Sequence, residues 1–342
     1  MRLRWSRQHV VLRHPFTIAR SSTTAKQTLL VELEHEGIVG LGEAVPTNYY
    51  GQTIDSSEAA LEGISRWLGD DPFQLERILS RCVERFDDQL AAVSAVDSAL
   101  HDWIGKRLGV PVWRLLGLDP ARVPVSSFTI GIDDPDAIET KAVEAQDYPI
   151  LKVKVGTAQD EEILAAVRRV APHKTLRVDA NAGWSIHNAA ERIRAVSRFG
   201  IELVEQPIPP GEPDALRGLR NLGIAPIVAD ESCIRPADVL PLAGCVDGIN
   251  IKMSKCGGIR QALRMIHLAR ACGLKVMIGC MLESSVGIAQ AAQLAPLADW
   301  IDLDGHLLLE NDPFEGMGGA GGRLTLTDRP GLGVTRRPAS QD

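Results

Sequence analysis

The sequence predicts a closed parallel β/α barrel preceded by a separate α+β domain. Three observations carry that expectation. Thr129, Lys154, Asp179, Glu205, Asp230 and Lys252 follow one another at intervals of 25, 25, 26, 25 and 22, the length of one strand, loop and helix. Each stands at the end of a short apolar run (SSFTI, ILKVK, TLRVD, IELVE, PIVAD, DGINIK), and IGCMLE and WIDLD bring such runs to eight. Parallel barrels place their chemistry at the C-terminal ends of their strands. Finally, the chain has 342 residues, more than the roughly 250 of a bare barrel, and residues 1–120 lack the rhythm.

In residues 1–120, Thr28 to His35 reads as a strand, Glu36-Gly37 as a turn and Ile38 to Gly42 as a return strand. Ser56 or Ser57 caps a helix running to Leu68, with Gly69 past its end. Phe73 to Phe86 and Ala91 to Leu108 are two more helices, the second closed by Gly109. Strands followed by helices make an α+β unit. In residues 121–310 strands alternate with helices, expected at Asp136 to Ala145, Asp160 to Val170, Ile186 to Phe199, Pro213 to Leu222, Pro236 to Leu242 and Ile259 to Cys272. The strands are short and rich in Val and Ile, as strands covered on both faces are. An open doubly wound sheet fits the same alternation, but no G-x-G-x-x-G follows the first strand, and eight even units favour closure. Residues 311–342, glycine-rich from Gly316 to Gly333, are expected to return to the N-terminal domain.

A net charge of −7 with no long basic run argues against nucleic acid as a partner. Six scattered cysteines form no C-x-x-C pair, so neither a zinc knuckle nor a disulfide scaffold is indicated. MRLRWSRQHV is too polar for a signal-peptide core, and no apolar run approaches the roughly 20 residues of a membrane helix. A cytoplasmic protein with no membrane partner is expected.

Asp179, Glu205 and Asp230 end the third, fourth and fifth runs and should converge on one wall of the barrel mouth. Three carboxylates in a desolvated site are costly without compensation, and a hard divalent cation supplies it. With only oxygen donors at these positions, Mg²⁺ suits better than zinc. Taken singly, each acid could instead cap the following helix or pair with a base. Lys152 and Lys154, two apart on a strand, point the same way, with Leu151, Val153 and Val155 turned to the helices. Neighbouring positive charge should lower a lysine pKa and leave one able to act as a base. Lys252 ends the sixth run, across the barrel from the second. One lysine could then take an α-proton and the other return it to the opposite face, inverting a carbon beside a carboxylate. Lys255, expected in the loop with Gly257 and Gly258, is a weaker candidate for the second base, and spacing alone does not decide. Asp302 and Asp304 share a face of the eighth run, opposite the fourth, and suit a cationic end of the substrate. One of them could instead cap the loop before His306. No G-x-S-x-G elbow supports a Ser nucleophile. A Schiff-base aldolase and a non-catalytic binding barrel are the rivals that the residues alone leave standing.

GLGEAVP, AVSAVDSALHDWIGKRLGVPVWRLLG, LKVKVG, RVDANAGW, IELVEQP, ADES, INIKMSKCGGI and PGLGV, in this order, resemble the enolase superfamily in its muconate-lactonizing-enzyme subgroup. The resemblance spans nearly the whole chain. It implies a modified (β/α)8 barrel, a (β/α)7β TIM-type barrel, under an α+β capping domain built from both termini. It implies one Mg²⁺ on Asp179, Glu205 and Asp230, acid/base roles for Lys154 and Lys252 with Lys152 assisting, and a homo-oligomer. Asn181, Glu231 and Lys255 would support the ligands from behind. Asp302-Leu303-Asp304 looks like the D-x-D with which dipeptide epimerases hold the substrate ammonium, and Phe128-Thr129 and Gly279 to Glu283, with Met281 and Leu282, are similar to that branch. The implied activity is Mg²⁺-dependent epimerisation of the C-terminal residue of a dipeptide such as L-Ala-D/L-Glu. The alternatives are an o-succinylbenzoate synthase or N-acylamino acid racemase, or a muconate-type cycloisomerase. Ala-Glu epimerases place an arginine after a capping-loop Phe to grip glutamate. Arg20 follows Phe16, but counting back from Val31-Glu32-Leu33 puts Ser21 at that position. Either Arg20 serves or the second residue is not acidic.

Overall fold

The computed structural model describes residues 1–338. The chain starts with a long hairpin that the sequence reading missed. β1 (Arg2–Ile18) pairs antiparallel with β2 (Ser21–His35) across the two-residue turn Ala19-Arg20, and β2 pairs with β3 (Ile38–Ala44). Between Val11 and Phe16 the register shifts: Val11 faces Ala25 while Phe16 faces Thr23. Extra chain is thus spooled into β1 just before the turn. β1 escaped detection because most of its side chains are solvated, with only Leu3, Val10 and Leu12 buried.

Helices α1 (Ile54–Ser65) and α3 (Leu90–Leu108) cover this sheet, and α2 (Leu75–Arg85) packs on α3. The cap of α1 is Thr53, which forms a reciprocal box with Ser56, rather than Ser56 or Ser57. Gly109 ends α3 in the left-handed conformation, as expected. α3 lies directly on β3. A Cβ at Gly42 would meet the Ala95 carbonyl oxygen at 2.0 Å, and one at Gly40 the Ala99 oxygen at 2.0 Å. Glycine there allows strand and helix backbones to touch.

After a short α4 (Val112–Leu115) the barrel begins. In chain order it comprises β4 (Phe128–Ile130), α5 (Pro135–Glu144), β5 (Ile150–Lys154), α6 (Asp160–Val170), β6 (Thr175–Asp179), α7 (Ala189–Ser197), β7 (Ile201–Glu205) and α8 (Pro213–Arg220). There follow β8 (Ile227–Ala229), α9 (Val239–Leu242), β9 (Gly248–Lys252), α10 (Met253–Cys256), α11 (Ile259–Ala271), β10 (Lys275–Gly279), α12 (Ser285–Ala292) and β11 (Trp300–Asp302). The eight strands pair in parallel in sequence order. The seam between β4 and β11 is bridged at Ser126 and Ile301. This is a nearly closed TIM-type barrel with a separate α+β capping region. α12 was missed because all eight of its residues are buried, so no polar face marks its period.

Alternation inside the barrel sets the site. Leu151, Val153, Leu176 and Val178 face the helices, fully buried. Leu203, Val228, Met277 and Trp300 form a separate apolar cluster. Each lies two residues before a strand-end position, so they share the inward face and floor the polar mouth.

Two buried acids of the capping region lock it onto the barrel. Asp97 of α3 accepts from the backbone N–H groups of Ile259 (2.9 Å) and Arg260 (3.2 Å), at the start of α11. Glu43 of β3 accepts from Ser284 N (3.0 Å), Ser284 Oγ (2.6 Å) and Gly287 N (3.2 Å), at the start of α12. Both satisfy helix N–H groups that have no partner within the helix and complement the dipole. The chain after β11 runs back along α3, where Leu332 N donates to Asp102 Oδ1 at 2.7 Å. Among the described residues no helix is long and apolar enough to cross a membrane, and all six cysteines are unpaired.

Candidate active site

A cavity of about 990 Å³ opens where the capping hairpin and the loop around Tyr49 and Tyr50 overhang the strand ends. Lys152, Lys154, Lys252, Asp230, Asp302 and Asp304 line its barrel side, with Thr129, Asn181, Glu231, Met281 and Leu282. Asp179 and Glu205 lie deeper and are fully buried, and Lys255 stands behind them.

The lysines bind the acids together. Lys152 Nζ sits 3.1 Å from Asp179 Oδ2, 2.8 Å from Glu205 Oε2 and 2.6 Å from Asp302 Oδ2. Lys154 Nζ donates to Asp179 Oδ2 at 2.6 Å, and its ammonium lies 5.9 Å from the Phe16 ring centroid. Lys252 Nζ donates to Asp230 Oδ2 at 2.8 Å. Lys255 lies in the helical turn α10 rather than in a loop, and spends its ammonium on Asp230 O, Asp230 Oδ1 and Asn250 O. Lys252 therefore faces the cavity and Lys255 does not.

The strand-eight acids are committed too. Asp302 Oδ1 accepts from Ser127 Oγ (2.9 Å) and Thr129 Oγ1 (3.3 Å), and Asp304 Oδ2 accepts from Thr129 N (2.6 Å). Asp304 precedes the 3-10 turn Gly305–Leu308, but its side chain does not cap it. Arg20, at the hairpin turn, reaches across the opening. It donates to Asn181 O at 2.5 Å, pairs with Glu231 Oε1 at 2.7 Å, and stacks 4.0 Å over the Tyr49 ring. Ser21 lines the same wall. Asn181, held at positive φ, links Asp179 to Glu231.

Period-two reasoning would have found two more residues. Asn250, two before Lys252, donates to Glu205 Oε1 at 2.8 Å, and Ser127, two before Thr129, holds Asp302. Tyr49, Tyr50 and Lys26 of the capping region also line the cavity. No pattern in the sequence marked them.

The expected depression of a lysine pKa is not what the side chains produce. Burial lowers Lys152, but Asp302, Glu205 and Asp179 together push it well above its usual value. Burial likewise lowers Lys252, and Asp230 together with Glu205 pushes it well above its usual value. Burial would raise Asp179 and Asp230, yet Lys154 and Lys152 hold the first low and Lys252 and Lys255 the second. Glu205 goes the other way, pushed up to about 7 by burial and by the charges of Asp179 and Asp230.

The site has an excess of carboxylate. Glu205 Oε2 is buried and, although near Lys152, accepts no hydrogen bond. The deep donors are all oxygen and fit a hard divalent cation. Among the described residues, however, no three His, Cys, Asp or Glu side chains are gathered into a ready metal cluster. The ammonium of Lys152 lies between Asp179 and Glu205.

The two halves of the chain match known families. Residues 3–117 match the mandelate racemase/muconate lactonizing enzyme N-terminal domain, and residues 137–340 match the enolase C-terminal domain-like family. The chain belongs to the enolase superfamily. It is 42% identical over 327 residues to an L-Ala-D/L-Glu epimerase of Bacteroides thetaiotaomicron, covering 95% of this chain and 85% of the relative. It is 37% identical to an L-Lys-D/L-Arg epimerase of Methylococcus capsulatus, covering 96% of each. A dipeptide epimerase of Enterococcus faecalis, solved with Mg and L-Leu-L-Tyr, superposes with a TM-score of 0.92 at 34% identity, covering 98% of this chain and 99% of that one. As a superfamily member with such relatives, the protein is an isomerase of the racemase and epimerase type.

Proposed function

We propose that the protein is a Mg²⁺-dependent dipeptide epimerase that inverts the α-carbon of the second residue. One observation carries this reading. Lys154 and Lys252 end β5 and β9, the second and sixth of eight strands, and reach one cavity from opposite sides, with the acids of β6, β7 and β8 on the arc between them. Single-base chemistry needs only one of the two as the proton-transfer group.

Asp179, Glu205 and Asp230 would hold the cation. Bound there, it would draw the carboxylates off the lysines and offset the negative charge that grows on the substrate carboxylate as the α-proton leaves. Asp302 and Asp304, on the eighth strand across the mouth from β7, would receive the substrate ammonium. The α-carbon then lies between the two lysines. One neutral amine takes the α-proton and becomes an ammonium. The other ammonium gives its proton to the opposite face and becomes neutral, so charge balances and configuration inverts. Lys152, which keeps its bond to Asp302 at 2.6 Å, stays protonated and adds fixed positive charge.

The test is α-proton NMR in D₂O with Mg²⁺ and a dipeptide panel, repeated with EDTA. Exchange and inversion on some dipeptide, lost with EDTA, are expected. Failure to exchange any dipeptide would count decisively against the proposal.

A further inference from the structure

Six cationic side chains line the cavity: Arg7, Arg20, Lys26, Lys152, Lys154 and Lys252. Five are paired with carboxylates. Arg7 is held by Asp55 and Glu58, Arg20 by Glu231, Lys154 by Asp179, Lys252 by Asp230, and Lys152 by three acids. Lys26 is the exception among the described residues. Its charged neighbours, Glu283, Glu43 and Lys252, act on it through space without a hydrogen bond.

Lys26 lies on β2, cross-strand from Val10, in the capping wall. It lines the same cavity as Lys252, Met281 and Leu282. Glu43 is spent on the start of α12, and Glu283 Oε1 takes Met281 N at 3.2 Å. Burial pushes Glu283 up to about 8, so near neutral pH it does little to compensate a neighbouring ammonium. Burial also pushes Lys26 itself down to about 8. Lys26 is half-buried at the cavity wall and has no ion-pair partner among the described residues, so an anion entering the cavity would both pair with it and shield it from water.

Resting on the dipeptide epimerase reading, the orientation of the substrate is fixed at two ends. Its ammonium faces Asp302 and Asp304, and its carboxylate faces the deep acids. The side chain on the epimerised carbon is then left to point out of the barrel, toward the capping wall. Arg20, the residue expected to grip an acidic side chain, is occupied by Glu231 and the Asn181 carbonyl. We infer that Lys26 is the specificity-determining residue of this enzyme, and that it selects a dipeptide whose second residue carries a carboxylate side chain.

The experiment uses the full-length protein with Mg²⁺ and three substrates, L-Ala-L-Glu, the isosteric L-Ala-L-Gln and L-Ala-L-Leu. The wild type is expected to favour Glu over Gln in kcat/KM by about 10- to 100-fold, the range of one charge-assisted hydrogen bond. Lys26→Gln is expected to lose that preference through turnover of Ala-Glu, while Ala-Gln and Ala-Leu change little. Lys26→Arg should keep most of it. Turnover of Ala-Leu shows in the same samples that each variant is folded. Equal losses on all three substrates would mark Lys26 as structural and overturn the inference. So would a wild type indifferent to Glu against Gln, or a preference that survives in Lys26→Gln. A wild type inactive on every dipeptide would overturn the parent reading and this one together. Activity that ignores the charge at position 26 would overturn this one alone.

Discussion

On the barrel side of the cavity, Lys152 pairs with Asp302, Lys154 with Asp179 and Lys252 with Asp230, and Asp304 accepts from the Thr129 backbone N–H. On the capping side, Arg20, Lys26 and Tyr49 project from a hairpin and a loop, with one ion pair to the barrel and, among the described residues, one cation without a partner. Strand ends fixed by backbone ladders on both sides suit the invariant part of a reaction, where a small misplacement is expensive. A hairpin whose register is already irregular at Val11 and Phe16 can change its side chains without disturbing the barrel. The difference suggests chemistry below and discrimination above.

Substitutions on each side can break or sharpen that division. The largest effect is expected from Lys154→Ala or Lys252→Ala. Each should cut inversion by about 10²–10⁴-fold, as loss of a placed acid or base does, and should do so for every dipeptide alike. If either loss depended on the second side chain, the two walls would not be separable. Next come the strand-eight acids. Asp304→Asn should act mainly on KM, by about 10-fold for one charged hydrogen bond. Asp302→Asn should raise KM and also slow exchange, because Asp302 positions Lys152 at 2.6 Å. Steady-state kinetics separate the two.

Arg20→Ala should have a smaller effect, on the order of a few-fold in KM, since Arg20 is partly exposed and its pairing is weakened by solvent. Smallest in turnover is Glu43→Ala. It leaves donors of Ser284 and Gly287 unpaired in a buried seam, which costs on the order of 3 kcal/mol. Thermal unfolding should therefore fall while kcat well below the transition is unchanged. A large loss of kcat at unchanged stability would mean that the seam is catalytic rather than a latch.

The barrel side was legible in the sequence because one polar or charged residue per unit recurs at the end of an apolar run. Asp179, Glu205 and Lys252 could be placed by counting, and strand alternation put Lys152 with Lys154. Counting could not foresee the company they keep. Lys255 was assigned to a loop because its helical turn, Met253–Cys256, is too short to show a period. The rise in the Lys152 pKa depends on Asp302, 150 residues away in sequence. The capping side was nearly silent. β1 has too few buried residues to alternate, and counting from Val31 favoured Ser21 without showing that Arg20 takes Glu231. Lys26 sat unremarked between Ala25 and Gln27, since nothing local distinguishes a cavity lysine from a solvated one.

The two-sided transfer of a proton is tested most directly by following α-proton exchange of both epimers of one dipeptide in D₂O. The account predicts complementary behaviour. Lys154→Ala should exchange one epimer without inverting it, and Lys252→Ala should exchange only the other. If both variants lost exchange of the same epimer, or either still interconverted the two, the lysines would not stand on opposite faces of the substrate.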